Sequence, residues 1–180
     1  MKKLFSVAVS LVFLLCGAVT VSAWEDITPA EAQTMILENP NAYILDVRSE
    51  CEYRWNGHCS VPEGQIKNIP WWFWEYDRQT DDYGFTDVNK FFDAAVYRHF
   101  DPATDTLIVV CRSGGRAGQA STELDDPSQP ASNRLEALGF FDIRRMVGGF
   151  TFGWEPAGLP SESNTVGIWK PSDHRGRSLK

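Results

Sequence analysis

Cysteine and histidine are scarce in this sequence of 180 residues, which contains four cysteines and three histidines. The histidines stand far apart, at positions 58, 99 and 174, and no two cysteines have C-x-x-C spacing. Tetrahedral zinc sites use Cys and His ligands that are clustered at short spacings. We therefore expect no metal site, and we expect no cofactor.

Basic residues are also in the minority. The 17 Lys and Arg residues face 24 Asp and Glu residues, so the formal net charge is −7. No stripe of basic residues interleaved with aromatic residues occurs along the chain. Proteins that bind nucleic acids need such a basic surface to meet the phosphate backbone. The composition therefore argues against a nucleic-acid partner.

Long apolar runs are absent except at the N-terminus, where residues 4–21 are almost wholly apolar. Two lysines precede this run and the small-residue segment Val21-Ser22-Ala23 follows it. The pattern is typical of a secretory signal peptide, with a membrane anchor as the alternative. We expect residues 1–23 to be a signal peptide and the mature chain to be periplasmic or secreted, without membrane attachment. Removing two lysines and no acid changes its charge from −7 to −9.

Short apolar segments alternate with helical patterns in the rest of the chain. Four segments have the length and composition of buried strands: residues 42–45, 65–69, 106–110 and 142–147. Helical spacing or capping signals mark five others: residues 28–39, 88–99, 117–124, 134–138 and 149–156. This alternation predicts an α/β fold, with a central parallel sheet and helices on both faces. Residues 49–64 are predicted to be a charged loop, and residues 125–133 a polar break.

The predicted domain covers residues 24–160, a length that suffices for one well-buried core. Residues 161–180 contain few apolar side chains and are predicted to form a tail. Val166, Ile168 and Trp169 are the exceptions, and these three could dock locally on the domain.

One stretch carries most of the chemical information, because it joins a predicted strand to a predicted helix: Cys111-Arg112-Ser113-Gly114-Gly115-Arg116. The two glycines allow the backbone to curl, so that several N–H groups point inward at an anion. The arginines add positive charge, which favours a thiolate over a thiol. The stretch predicts an anion-binding loop with Cys111 as nucleophile. An inert structural cysteine is the alternative, but it leaves the glycines and arginines without a role.

Export would leave three thiols in the mature chain, at Cys51, Cys59 and Cys111. Thiols tend to pair in an oxidising compartment. Cys51 and Cys59 lie in one polar segment, and a disulfide between them would add about 2–3 kcal/mol of stability. Cys111 would then stay unpaired, as a nucleophile must. Three reduced thiols, or a redox role for Cys51 and Cys59, are the alternatives.

Aromatic residues are concentrated in the segment Trp71-Trp72-Phe73-Trp74-Glu75-Tyr76. Packing in the core is the commoner fate of such side chains. The alternative is an exposed patch that binds a periplasmic protein partner through Trp71, Trp72 and Trp74.

Four groups of motifs occur in the order typical of one known family. They are Asp46-Val47-Arg48; Glu52-Tyr53 with Gly57-His58 and Asn68-Ile69-Pro70; the Cys111 loop; and Leu138-Gly139-Phe140 with Gly148-Gly149 and Trp154. In these motifs the chain resembles a single-domain, exported, rhodanese-like sulfurtransferase. One departure is Ala117, since the family usually has Ser or Thr directly after the loop arginine.

This resemblance implies a rhodanese-like fold and sulfur transfer through a persulfide on Cys111. The donor would be thiosulfate or a similar small anion, and the acceptor cyanide or a thiol. The loop residues from Arg112 to Arg116 would bind the sulfur anion, while Asp46, Arg48 and Ala117 would support the loop.

Two other functions are compatible with the same motifs. The first is a periplasmic sulfur-carrier or oxyanion-binding module with little turnover, suggested by Ala117. The second is a cysteine-dependent phosphatase or arsenate reductase. The six-residue loop disfavours the second, because the related phosphatases have one residue more.

Overall fold

The computed structural model describes residues 24–78, 80–117, 131–164 and 166–169. The expected signal peptide, most of the predicted helix at 117–124 and most of the polar break at 125–133 lie outside these residues. Among the described residues, no helix is long and apolar enough to cross a membrane.

The strands are β1 (Trp24–Ile27), β2 (Ala42–Asp46), β3 (His58–Cys59), β4 (Ile66–Asn68), β5 (Trp72–Asp77), β6 (Asp82–Val88), β7 (Thr106–Val110), β8 (Asp142–Met146) and β9 (Ser161–Glu162). The α-helices are α1 (Pro29–Glu38), α2 (Glu50–Trp55), α3 (Phe92–His99) and α4 (Ala131–Ala137). A 3₁₀ turn covers Gly115–Ala117, and a π-helix covers Gly149–Trp154.

Five parallel strands form the central sheet of the described region, in the order β1-β8-β7-β2-β4. Side chains of β7 alternate between its two faces. Leu107 and Val109 pack in one layer with α3 and α4, whereas Ile108 and Val110 pack in the other with α1 and the π-helix. The predicted α/β architecture, with helices on both faces of a parallel sheet, is confirmed.

Two helices begin with the same local device, a capping box. At α1, Thr28 accepts from the N–H of Glu31, and the Glu31 carboxylate accepts from Thr28 in return. Ser49 and Glu52 do the same at α2. The start of α1 was predicted, but the prediction of a loop over residues 49–64 was wrong at α2. The S-x-x-E spacing was the signal that could have found this helix.

The aromatic segment forms a hairpin. Strands β5 and β6 pair antiparallel, and Trp72 lies opposite Val88. The prediction of a helix over residues 88–99 was therefore wrong at its start, because Val88 ends a strand and α3 begins at Phe92. Cross-strand pairing outweighs the helical spacing of the apolar residues there.

The C-terminal segment packs on the domain as far as Trp169. Strand β9 pairs antiparallel with β3, and Ile168 forms a parallel bridge with Asn68 at the outer edge of β4. Trp169 is buried in the same layer as α3. The docking considered for Ile168 and Trp169 occurs, and this segment covers an otherwise open sheet edge.

Candidate active site

The predicted site residues lie at the carboxyl ends of neighbouring parallel strands, where ligands bind in open α/β sheets. Strand β2 ends at Asp46 and β7 ends at Val110, and the two residues are register partners. The ladder continues for one more bond, since the N–H of Val47 donates to the Val110 carbonyl at 2.8 Å. Cys111 thus follows β7 directly beside the turn that follows β2.

The Cys111 loop is curled around its own sulfur. The N–H of Gly114 donates to the Cys111 Sγ at 3.0 Å, and both residues are buried. Gly114 has a φ of +99°, a backbone angle that favours glycine. The Ala117 N–H then donates to the Gly114 carbonyl at 3.1 Å and closes the 3₁₀ turn. A backbone donor is therefore already directed at the sulfur of the predicted nucleophile.

The two loop arginines have different surroundings. Arg112 is exposed, and no ion pair to it is present among the described residues. The Arg116 guanidinium is only 4% exposed and donates two bonds to the Glu52 carboxylate, at 2.8 and 2.7 Å. Both arginines were predicted to attract an anionic donor. Arg116 thus braces the loop against α2, and anion binding by the two arginines stays a prediction.

Glu52 belongs to this site, although the sequence analysis named it only as part of a motif and gave it no role. Its carboxylate bonds Arg116 and also accepts from the Ser49 N–H and hydroxyl, at 3.0 and 2.9 Å. Burial raises the pKa of this carboxyl, but the bonds from Arg116 and Ser49 outweigh burial and hold the pKa below its ordinary value. Glu52 therefore stays ionised and fixes the loop relative to α2.

Asp46 and Arg48 form a fully buried ion pair. The Arg48 Nη2 atom lies 2.6 Å from Asp46 Oδ2 and donates to the Gly57 carbonyl at 2.8 Å. The guanidinium carbon lies 4.4 Å from the centroid of the Phe150 ring, within the range of a cation–π contact. Asp46 and Arg48 thus tie three chain segments together behind the loop, and their role in supporting it stays a prediction.

The start of the π-helix is fastened to the loop from the other side. The Phe150 N–H donates to the Cys111 carbonyl at 2.7 Å, and the Thr151 N–H donates to the Arg112 carbonyl at 3.0 Å. Gly149 makes this approach possible, because a Cβ atom there would lie 2.3 Å from the Cys111 carbonyl oxygen. Gly149 also has a φ of +58°.

Cys51, Cys59 and Cys111 are free thiols in the structure, so the disulfide considered between Cys51 and Cys59 is not formed. Cys51 is half-buried on α2, whereas Cys59 points into the core from β3. Burial raises the pKa of the Cys59 thiol well above its ordinary value, which makes it a poor nucleophile. Among the described residues, no cluster of His, Cys, Asp and Glu could hold a metal ion.

The aromatic segment contributes to the core. Trp71 is 4% exposed and packs edge-on against Phe92, with ring centroids 4.8 Å apart. Trp72 and Phe73 are half-buried against the same layer. Trp71 is thus unavailable to a protein partner, and the side chain of Trp74 lies outside the described set.

A family model for the rhodanese-like domain matches residues 28–155. This range includes all the site residues described above, from Asp46 to Thr151. The chain belongs to the rhodanese-like domain family. Among curated proteins, no sequence matches the chain significantly.

Solved structures show the same fold. Rv0390 from M. tuberculosis is 23% identical, with a TM-score of 0.54 over 77% of this chain and 97% of that one. A polysulfide-sulfur transferase homodimer from Wolinella succinogenes is 19% identical, with a TM-score of 0.51 over 85% of each chain. These similarities show the fold, whereas the sulfurtransferase-type role is supported by the match to the rhodanese-like domain family.

Proposed function

We propose that the protein is a periplasmic sulfurtransferase that moves sulfane sulfur from thiosulfate, or a similar small anion, to cyanide or a thiol through a persulfide on Cys111. One observation carries this proposal most directly. The Gly114 N–H is directed at the Cys111 Sγ at 3.0 Å, in a loop braced by the part-buried Arg116–Glu52 pair. A donor at this position stabilises a thiolate before reaction and a negatively charged sulfur after it.

The reaction divides into two displacements at sulfur. The Cys111 thiolate attacks the outer sulfur of thiosulfate, an S–S bond forms to Cys111, and sulfite leaves with the electron pair of the broken S–S bond. Cyanide then attacks the outer sulfur of the persulfide, thiocyanate forms, and the Cys111 thiolate is restored. Neither step needs a metal, an external oxidant or an external reductant.

The environment of Cys111 suits a small donor. Cys111 is fully buried, and Arg112 is the exposed cation of its loop. An exposed arginine attracts small anions from solution, and the buried loop restricts what reaches the sulfur. The N-terminal sequence pattern supports the periplasmic location, since residues 1–23 have the three parts of a secretory signal.

Mass spectrometry after thiosulfate treatment tests the proposal. The full chain, purified under reducing conditions, should gain one sulfur atom on Cys111 and should release thiocyanate when cyanide is added. Cys111→Ser should abolish both signals, whereas Cys51→Ser, which removes the half-buried thiol on α2, should load and turn over as the parent chain does.

Other outcomes separate the alternatives. A persulfide that forms on Cys111 but passes its sulfur to neither cyanide nor thiols would indicate a carrier module. Undiminished turnover in Cys111→Ser would refute the mechanism. Hydrolysis of a phosphate ester that depends on Cys111, without persulfide formation, would indicate a phosphatase.

A further inference from the structure

Thr151, in the first turn of the π-helix, has a hydroxyl group with no hydrogen-bond partner in the described part of the chain. The Oγ1 atom is buried, although the residue as a whole is only half-buried. The other unpartnered buried atoms among the described residues belong to Arg48, His58 and Asn68, and each of these side chains has another polar atom that forms a hydrogen bond. The Thr151 hydroxyl is the single polar group of its side chain, so the whole group is unused.

A buried hydroxyl without a hydrogen-bond partner lowers the stability of the folded protein. Buried polar groups are nearly always satisfied, so an exception needs an explanation, and a role in binding or catalysis is one. The π-helix points the same way, since π-helical turns are rare and frequent at functional sites.

The backbone places Thr151 at the Cys111 loop. Its N–H donates to the Arg112 carbonyl at 3.0 Å, and the preceding N–H, of Phe150, donates to the carbonyl of Cys111 itself. Thr151 is therefore fastened to the residue that follows the nucleophile. Ala117, at the other end of the loop, has no hydroxyl to offer.

We propose that the Thr151 hydroxyl donates a hydrogen bond to the anionic sulfur group bound at Cys111. This inference rests on the proposed sulfur transfer and adds a side-chain donor to the backbone donor of Gly114. A hydrogen bond to a charged group contributes about 1.5–3 kcal/mol, which corresponds to a rate difference of about 10- to 100-fold. The hydroxyl would then be unpaired only while the anion is absent.

The proposal predicts opposite effects on stability and on rate. Thr151→Val removes the hydroxyl and keeps the shape of the side chain. Because the hydroxyl has no partner in the free protein, the melting temperature should stay the same or rise. The rate of persulfide formation from thiosulfate, measured in single turnovers, should fall about 10- to 100-fold. Thr151→Ser, which restores the hydroxyl, should recover most of that rate.

A matched threonine serves as the control. Thr106 opens β7, at the opposite end of the strand from Cys111, and its hydroxyl donates to Asp142 Oδ2 at 2.7 Å. Thr106→Val should lower the melting temperature and leave the rate per folded molecule unchanged. Equal persulfide formation in Thr151→Val and the parent chain would overturn the inference. So would a loss of rate accompanied by a loss of stability, or a slow Thr151→Ser variant.

The two proposals fail in different ways. If the parent chain forms no persulfide from thiosulfate, the proposed function is wrong. If the parent chain forms it and Thr151→Val forms it at the same rate, only the role of Thr151 is wrong.

Discussion

Glu52→Gln tests whether the ion pair between α2 and the Cys111 loop holds the site together. The substitution keeps the size of the side chain and removes its charge. Arg116, at 4% exposure, would then lose the Glu52 carboxylate that its guanidinium bonds. One of the two Glu52 oxygens would become an NH₂ group, which cannot accept the bonds from Arg116 or Ser49.

The expected cost follows from these contacts. Breaking a buried ion pair costs about 3–5 kcal/mol when one partner is removed. Glutamine retains one acceptor, and Glu52 is itself 16% exposed, so we expect a loss of about 2–4 kcal/mol in the free energy of unfolding. Urea denaturation measures this loss.

The same change should slow the chemistry. Without the bonds between Arg116 and Glu52, the Cys111 loop can shift relative to the bound sulfur donor. A displacement of about 1 Å lowers enzymatic rates by as much as 100-fold. We therefore expect kcat/KM for thiosulfate to fall at least about 10-fold, measured on protein that circular dichroism shows to be folded.

Glu50→Gln is the matched control. Glu50 lies on the same helix, two residues earlier, and its side chain is 45% exposed. Among the described residues it pairs only with Arg54, one turn along, at 3.4 Å. Such an exposed pair contributes about 0.3–0.5 kcal/mol. If Glu52→Gln loses no more stability and no more activity than Glu50→Gln, the argument that this ion pair holds the loop is wrong.

The pH dependence provides an independent check. A carboxyl whose pKa is lowered in the folded state contributes stability above its unfolded pKa, about 4.3 for glutamate. That contribution is lost as the pH falls through the lower folded value. The parent chain should therefore lose more stability than Glu52→Gln when the pH is lowered below about 4.

Two further predictions concern a glycine and a histidine. Gly149→Ala should abolish folding or activity, because the new Cβ atom would lie 2.3 Å from the Cys111 carbonyl oxygen. Gly158→Ala is the control, since Gly158 has a φ of +68° but open space around it. This control should lower the free energy of unfolding, measured by urea denaturation, by only about 1 kcal/mol. A similar loss in both variants would contradict this. Burial lowers the pKa of His58, although a hydrogen bond to the Tyr53 carbonyl opposes this shift. The neutral imidazole therefore contributes its full stability above the unfolded pKa of about 6.5, and this contribution is lost as the pH falls through the lower folded pKa. The free energy of unfolding should fall less steeply with acid in His58→Gln, and equal slopes would exclude a buried neutral imidazole.

Local signals account for the parts of the fold that could be predicted from the sequence. The start of α1 depends on a Thr, a Pro and a Glu within four residues, so its capping box could be predicted. Strand β7 is a continuous apolar run buried on both faces, and the Cys111 loop follows it directly. Helix α2 had the same capping signal, in Ser49 and Glu52, and it was missed because the segment is rich in charge.

Pairings between distant segments account for the two errors in the predicted fold, at Val88 and in the C-terminal segment. Val88 has helical spacing with the residues after it, yet it pairs with Trp72 across a hairpin. The C-terminal segment looks like a tail by composition, but the edge of β4 offers unpaired backbone groups, and residues up to Trp169 cover it. Periodicity within a segment contains no information about such a partner.

The sequence by itself determined the α/β architecture and the position of the Cys111 loop after β7, because strand burial, helix caps and glycine-rich turns act over a few residues. Only the tertiary structure decided how that loop is held. Arg116 meets a carboxylate 64 residues away, and the Cys111 carbonyl meets the N–H of Phe150. Which charge neutralises a buried arginine, and which buried hydroxyl has no partner among the described residues, depend on how distant segments pack. The ion pair of Glu52 and the unpartnered hydroxyl of Thr151 could therefore be found only in the folded chain.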